Sequence, residues 1–167
     1  MDYALQAYKT AVQLQPNFNF NYQMGLLYGQ LGNTDMMIST FLDEAFVHQE
    51  STILIQNQFS RFITDEGDAG FSANLRKALI TRTQKNQDVY WNQFLSWYYT
   101  QQKEFGKAFV QEKAMYKRNP ESLNAIINLA QLAIDEKDDS TATTILEFVL
   151  ENTTEIELLV QANTYLM

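Results

Sequence analysis

An interval of 34 residues recurs along this chain, and no other feature constrains the fold as much. It separates Ala108 from Ala142, Leu95 from Leu129, Ser96 from Ala130 and Phe71 from Phe105. Small residues recur where two helices must approach closely; large apolar residues recur where they fill the space between. A period of this length holding two amphipathic segments predicts stacked helical hairpins. The two prolines agree with that frame. Ala4 to Pro16 and Ala108 to Pro120 are both spans of twelve residues. A proline inside a helix costs about 3 kcal/mol but little beside a terminus, so these two mark boundaries. Gln15 and Asn119, which precede them, are biased away from helix by the same ring.

Composition supports helix throughout. Only two prolines and six glycines interrupt 167 residues, and 46% of the residues are hydrophobic, more than a disordered chain carries. The patterning predicts helices near 2–14, 18–31, 34–47, 51–64, 69–85, 87–102, 104–118, 121–136, 138–151 and 154–167. Stops fall at Gly32-Asn33, at Asp65-Glu66-Gly67-Asp68 and at Asp138-Asp139, and Ser122 and Asp139 are candidate caps. Leu123, Ile126, Ile127, Ala130, Ala133 and Ile134 share one stripe, faced by Ala142, Ile145, Leu146, Val149 and Leu150. A single hairpin cannot cover both of its faces, so neighbours must stack.

Tyr22-Gln23-Met24-Gly25-Leu26-Leu27-Tyr28-Gly29-Gln30-Leu31-Gly32-Asn33 resembles the first helix and turn of a tetratricopeptide repeat. Ala4, Tyr8, Ala11 and Pro16 resemble the second helix of such a repeat. Leu95, Ser96, Tyr99, Phe105, Ala108 and Pro120 resemble a whole later repeat, and Leu129, Ala130, Ala133 and Ala142 the next. The resemblance is weakest over 51–88. It implies an all-α fold, a right-handed superhelix of about ten stacked antiparallel helices. That would be one solenoid over 1–167: a half repeat at 1–17, repeats near 18–52, 53–88, 89–122 and 123–154, and a half repeat at 155–167. The stretch Gln111 to Pro120 also resembles repeat proteins of Bacteroidetes bacteria. By this frame the chain opens in a second helix and closes in an apolar first helix. The expectation is a piece of a longer repeat protein, able to self-associate through unfinished terminal helices.

The charge is −8. Such a surface lacks the cations that release counterions from phosphate backbones, so no nucleic-acid partner is expected. No apolar run reaches 18 residues, so no transmembrane segment is expected. Without cysteine there is no disulfide or thiol chemistry. The compartment, cytoplasmic or periplasmic, stays open. His48, the single histidine, reads as a helix-end residue interacting with the last carbonyls. Asp65, Glu66 and Asp68 read as a solvated turn, as do Asp135, Glu136, Asp138 and Asp139. No catalytic residue, metal or cofactor is expected, and the chain does not read as an enzyme.

Six aromatic residues crowd into Tyr90–Tyr99. With Leu95 and Tyr99 turned into the hairpin, Tyr90, Gln93, Trp97 and Gln101 share another face. The resemblance implies that this face lines a concave groove. It implies the same for Tyr22, Leu26 and Gln30, for Asn57 and Arg61, and for Asn124, Ile127 and Gln131. Rings and amides together suit a bound peptide. Packing against a neighbouring repeat is the competing reading. The groove positions do not resemble the lysine-and-asparagine clamps that hold terminal carboxylates. The expected function is a scaffold or adaptor that binds a peptide or protein in the groove. The alternatives are a sensor or regulatory module of a larger bacterial signalling or envelope protein, and a ligand-binding protein or enzyme. The last predicts a pocket beside Trp97 with a titratable group near it, for which Arg61 and Glu104 are candidates.

Overall fold

A computed structural model describes residues 2–15, 19–64, 69–86, 88–120 and 122–166. Among the described residues the protein is all-helical, with no strand. The helices are α1 (Asp2–Leu14), α2 (Asn21–Gln30), α3 (Thr34–Val47), α4 (Thr52–Thr64), α5 (Ala69–Lys85), α6 (Val89–Gln101), α7 (Phe105–Arg118), α8 (Asn124–Asp135), α9 (Asp139–Asn152) and α10 (Ile156–Leu166), with a single 3-10 turn at Gln49–Ser51. The ten expected helices are all present, with ends within about three residues of those predicted. Two compact units divide the chain, Met1–Thr81 and Arg82–Met167. Helices adjacent in sequence pack on one another: α2 with α3 and α3 with α4 in the first unit, α6 with α7, α7 with α8, α8 with α9 and α9 with α10 in the second.

Three hairpins turn in the same way. In α2–α3, Gly32 N–H donates to Gly29 O at 3.0 Å and Asn33 N–H to Tyr28 O at 2.9 Å. In α6–α7, Lys103 N–H donates to Thr100 O and Glu104 N–H to Tyr99 O; in α8–α9, Lys137 N–H donates to Ile134 O and Asp138 N–H to Ala133 O. This is the Schellman arrangement, which needs a left-handed residue just past the helix. That residue is Gly32 (φ 70°), Lys103 (φ 55°) or Lys137 (φ 64°). The residue after it starts the next helix. Asn33 accepts from Met36 N–H and Asp138 from Thr141 N–H. The cap of α9 is therefore Asp138, not Asp139, because Asp139 already lies within the helix. Ser122 does accept an amide, from Asn124. Asn119 is extended (φ −145°, ψ 93°) ahead of Pro120, as its neighbour's ring demands. Pro16 and the Asp65–Asp68 stop lie outside the described residues.

A β-carbon strains a left-handed backbone by roughly 1–2 kcal/mol, whereas glycine adopts it freely at an entropic cost of about 0.5–1 kcal/mol. Lys137→Gly is therefore expected to stabilise the second unit by about 0.5–1 kcal/mol, read as a raised urea midpoint. Lys103→Gly should gain less, because Lys103 Nζ also pairs with Glu136 at 2.6 Å. Such exposed pairs contribute up to about 1 kcal/mol.

The cores follow the expected stripes. Leu123, Ile126, Ile127, Ala130 and Ala133 are buried against Ala142, Ile145, Leu146 and Val149, with Leu129 and Phe148 added; Ile134 and Leu150 are half-buried. In the first unit Phe41, Phe59 and Phe71 form a chain of ring contacts at 6.0 and 5.7 Å. Gly25 lets α2 approach α3: a β-carbon there would stand 2.7 Å from Phe41 Cε1. His48 departs from expectation. Its Nδ1 lies 3.1 Å from the buried Glu44 carboxylate, which also accepts from Asn19 Nδ2 at 2.6 Å. The ring ties the end of α3 to the segment before α2, rather than serving the helix carbonyls, because a carboxylate is the stronger acceptor within its reach.

Candidate interaction cleft

The crowded aromatics of α6 separate sharply. Tyr90, Trp91, Phe94, Tyr98 and Tyr99 are buried, and Trp97 alone of the six is half-exposed. Trp97 stands edge-on to Phe94, centroids 5.4 Å apart. Thus five of the rings are packing residues and one is offered to solvent. Tyr90 (7% exposed) and Ile127 (1% exposed) have no side-chain surface to give a ligand. The remaining expected residues are at least partly accessible: Leu26, Gln30, Asn57, Arg61, Gln93, Gln101 and Asn124 are exposed, and Tyr22 and Gln131 are half-buried. Tyr22 leans on Phe41 with centroids 5.7 Å apart, and Gln131 Nε2 donates to Asp135 at 2.8 Å.

Two clefts open beside Gln93 in the second unit. One, of about 370 Å³, is walled by Val89, Met115, Tyr116, Asn119, Ser122 and Ile126. The other, of about 240 Å³, is walled by Ser96, Trp97, Thr100, Ala125, Asn128, Leu129 and Leu132. Gln93 and Glu112 line both. Of the expected residues, Gln93 and Trp97 are therefore brought together here. On α8 the cleft is faced by Ala125, Asn128 and Leu132, not by Asn124, Ile127 and Gln131. Carrying Gln93 and Trp97 forward by one repeat lands on Ile127 and Gln131, but Ile127 is buried, and the stripe of Ala125, Asn128 and Leu132 lines the cleft instead.

Glu112 was not legible as a site residue. It is half-buried, and its carboxylate accepts from Ser96 Oγ at 2.5 Å. Burial raises its pKa above the ordinary 4.5, and the Ser96 hydrogen bond opposes that rise. A carboxyl raised on folding favours the native state fully when protonated and loses that contribution as pH rises through its folded value. Among the described residues no cation pairs with it. It supplies the titratable group beside Trp97; Glu104 instead pairs with Lys107 at 2.6 Å, and Arg61 belongs to α4 of the first unit.

Around this site, Asn92 is buried and held at both ends of its amide. Its Nδ2 donates to Gln111 at 2.9 Å, and its Oδ1 accepts from Arg118 at 3.2 Å. That fixes α6 against α7 and with it the mouth of the cleft. Among the described residues, no group of three or more His, Cys, Asp and Glu side chains is placed to hold a metal ion, and no helix is long and apolar enough to cross a membrane. No protein-family model and no curated protein matches the sequence.

Proposed function

We propose that the protein is a scaffold or adaptor of the tetratricopeptide kind, a solenoid of stacked hairpins that binds a peptide or protein segment and performs no chemistry itself. The observation that carries this reading is the cleft between α6 and α8. There one ring, Trp97, is left half-exposed in a helix whose other five rings are buried, and it is set among the amides of Gln93 and Asn128. Rigid aromatic area with adaptable amides beside it is the surface an extended peptide uses. The three identical turns support the hairpin repeat on which the solenoid reading rests.

The test is selection of displayed random dodecapeptides on the immobilised chain, beside a Trp97→Ala/Leu132→Ala variant matched for folding by circular dichroism. The wild type is expected to enrich a peptide set that the variant binds at least about tenfold more weakly. Equal binding by both proteins, or no enrichment by the wild type, would remove the cleft as the binding surface.

A further inference from the structure

Three hairpins with one turn geometry allow their positions to be compared directly. Gly25, Ser96 and Ala130 stand at the same place on the first helix, counted back from the left-handed residues Gly32, Lys103 and Lys137. Their counterparts on the second helix are Phe41, Glu112 and Leu146. Phe41 and Leu146 are both about 1% exposed and belong to the core. The middle hairpin alone replaces this apolar residue with a carboxylate, and alone places a hydroxyl opposite to hold it. Burying part of a charge with one neutral donor and no cation is unfavourable for folding. A side chain that costs stability, at a position the sister hairpins fill with hydrocarbon, and that opens onto two clefts, has the form of half an ion pair.

We propose that the Glu112 clefts receive a lysine or arginine side chain of a bound peptide, its cation meeting the Glu112 carboxylate and its methylene stem lying along the cleft wall. This deepens the scaffold reading and rests on it. The walls fit such a side chain. Met115, Ile126 and Val89 on one side, or Trp97, Leu129 and Leu132 on the other, can cover an aliphatic stem. Ser96 occupies one face of the carboxylate and leaves acceptor capacity for an incoming N–H. Glu112 and the Tyr116 phenol are the only titratable side chains among the described lining residues, and neither is cationic. The charge of −8 draws a basic segment toward the protein from a distance.

The experiment takes the best peptides from the selection and replaces each basic residue in turn by norleucine, which keeps the stem and removes the charge. Affinities are measured by calorimetry on the wild type and on Glu112→Gln. One such replacement is expected to weaken binding to the wild type about tenfold or more, and to change binding to Glu112→Gln by less than about threefold. A second reading needs no variant: by NMR, the lysine peptide should lower the pH at which the Glu112 carboxyl titrates, and its norleucine counterpart should not. Peptides that bind through Trp97 with no basic preference would overturn this inference and leave the scaffold reading standing. No enriched peptide at all would overturn both. Competition by free n-butylammonium at the peptide's own concentration would assign the clefts to a small amine and overturn the peptide assignment.

Discussion

Truncating Phe41 to alanine is expected to destabilise the first unit by about 3–5 kcal/mol, the range for a large buried ring. Phe41 is about 1% exposed, stacks with Tyr22 and Phe59, and fills the space that Gly25 leaves open. The same contact makes a sharper forecast. Gly25→Ala drives a β-carbon to within 2.7 Å of the ring, and overpacking of that kind costs roughly 1–3 kcal/mol. Alanine in mid-helix returns about 1 kcal/mol relative to glycine. In the wild type the net effect is destabilising. In a Phe41→Ala background the ring is gone, and Gly25→Ala should stabilise instead. Urea denaturation followed by circular dichroism on the four proteins of this cycle reads the sign directly. An equal effect of Gly25→Ala in both backgrounds would mean that the helices do not approach through this contact. Gly29→Ala is a useful control, because the atom its β-carbon would meet is the end of the flexible Met37 side chain.

The two tryptophans should divide stability from binding. Trp91 is 2% exposed, in edge contact with Tyr90 at 5.1 Å and with the Arg82 guanidinium 4.9 Å from its ring centre. Trp91→Ala is expected to cost about 3–5 kcal/mol and to unfold the second unit at low urea. Trp97→Ala removes a half-exposed ring, so it should cost about 1–2 kcal/mol, less than full burial of such a ring would carry. Single-tryptophan proteins give the companion measurement: acrylamide should quench Trp97 and spare Trp91. If Trp97→Ala proved as destabilising as Trp91→Ala, the half-exposed ring would be a core residue and the cleft would lose its anchor.

Repetition made the hairpins legible. Gly32 marked a turn because left-handed backbone favours glycine, and the run from Leu123 to Ala133 marked a buried stripe because its spacing matches a helix. Lys103 and Lys137 were less visible, since lysine carries no signal for the left-handed conformation both adopt. The cleft was legible only in part. Trp97 and Gln93 were legible because they share a face of α6 other than the one that Leu95 and Tyr99 turn into the hairpin. Glu112 was missed because a glutamate midway along an exposed-looking helix resembles any solvated charge. Comparing Glu112 with Phe41 and Leu146 at the equivalent positions would have singled it out.

The amino-acid sequence by itself determined the all-helical class and the approximate limits of the helices among the described residues, because these depend on short-range periodicity, turn chemistry and proline. Tertiary structure alone decided which stripe of each helix met its neighbour. It buried Tyr90 and Ile127, turned Asn128 and Leu132 to the cleft, and set Ser96 against Glu112. The rotation of a helix about its axis is chosen by competition among several apolar residues for one core, and that competition is settled only when the neighbouring helices are in place.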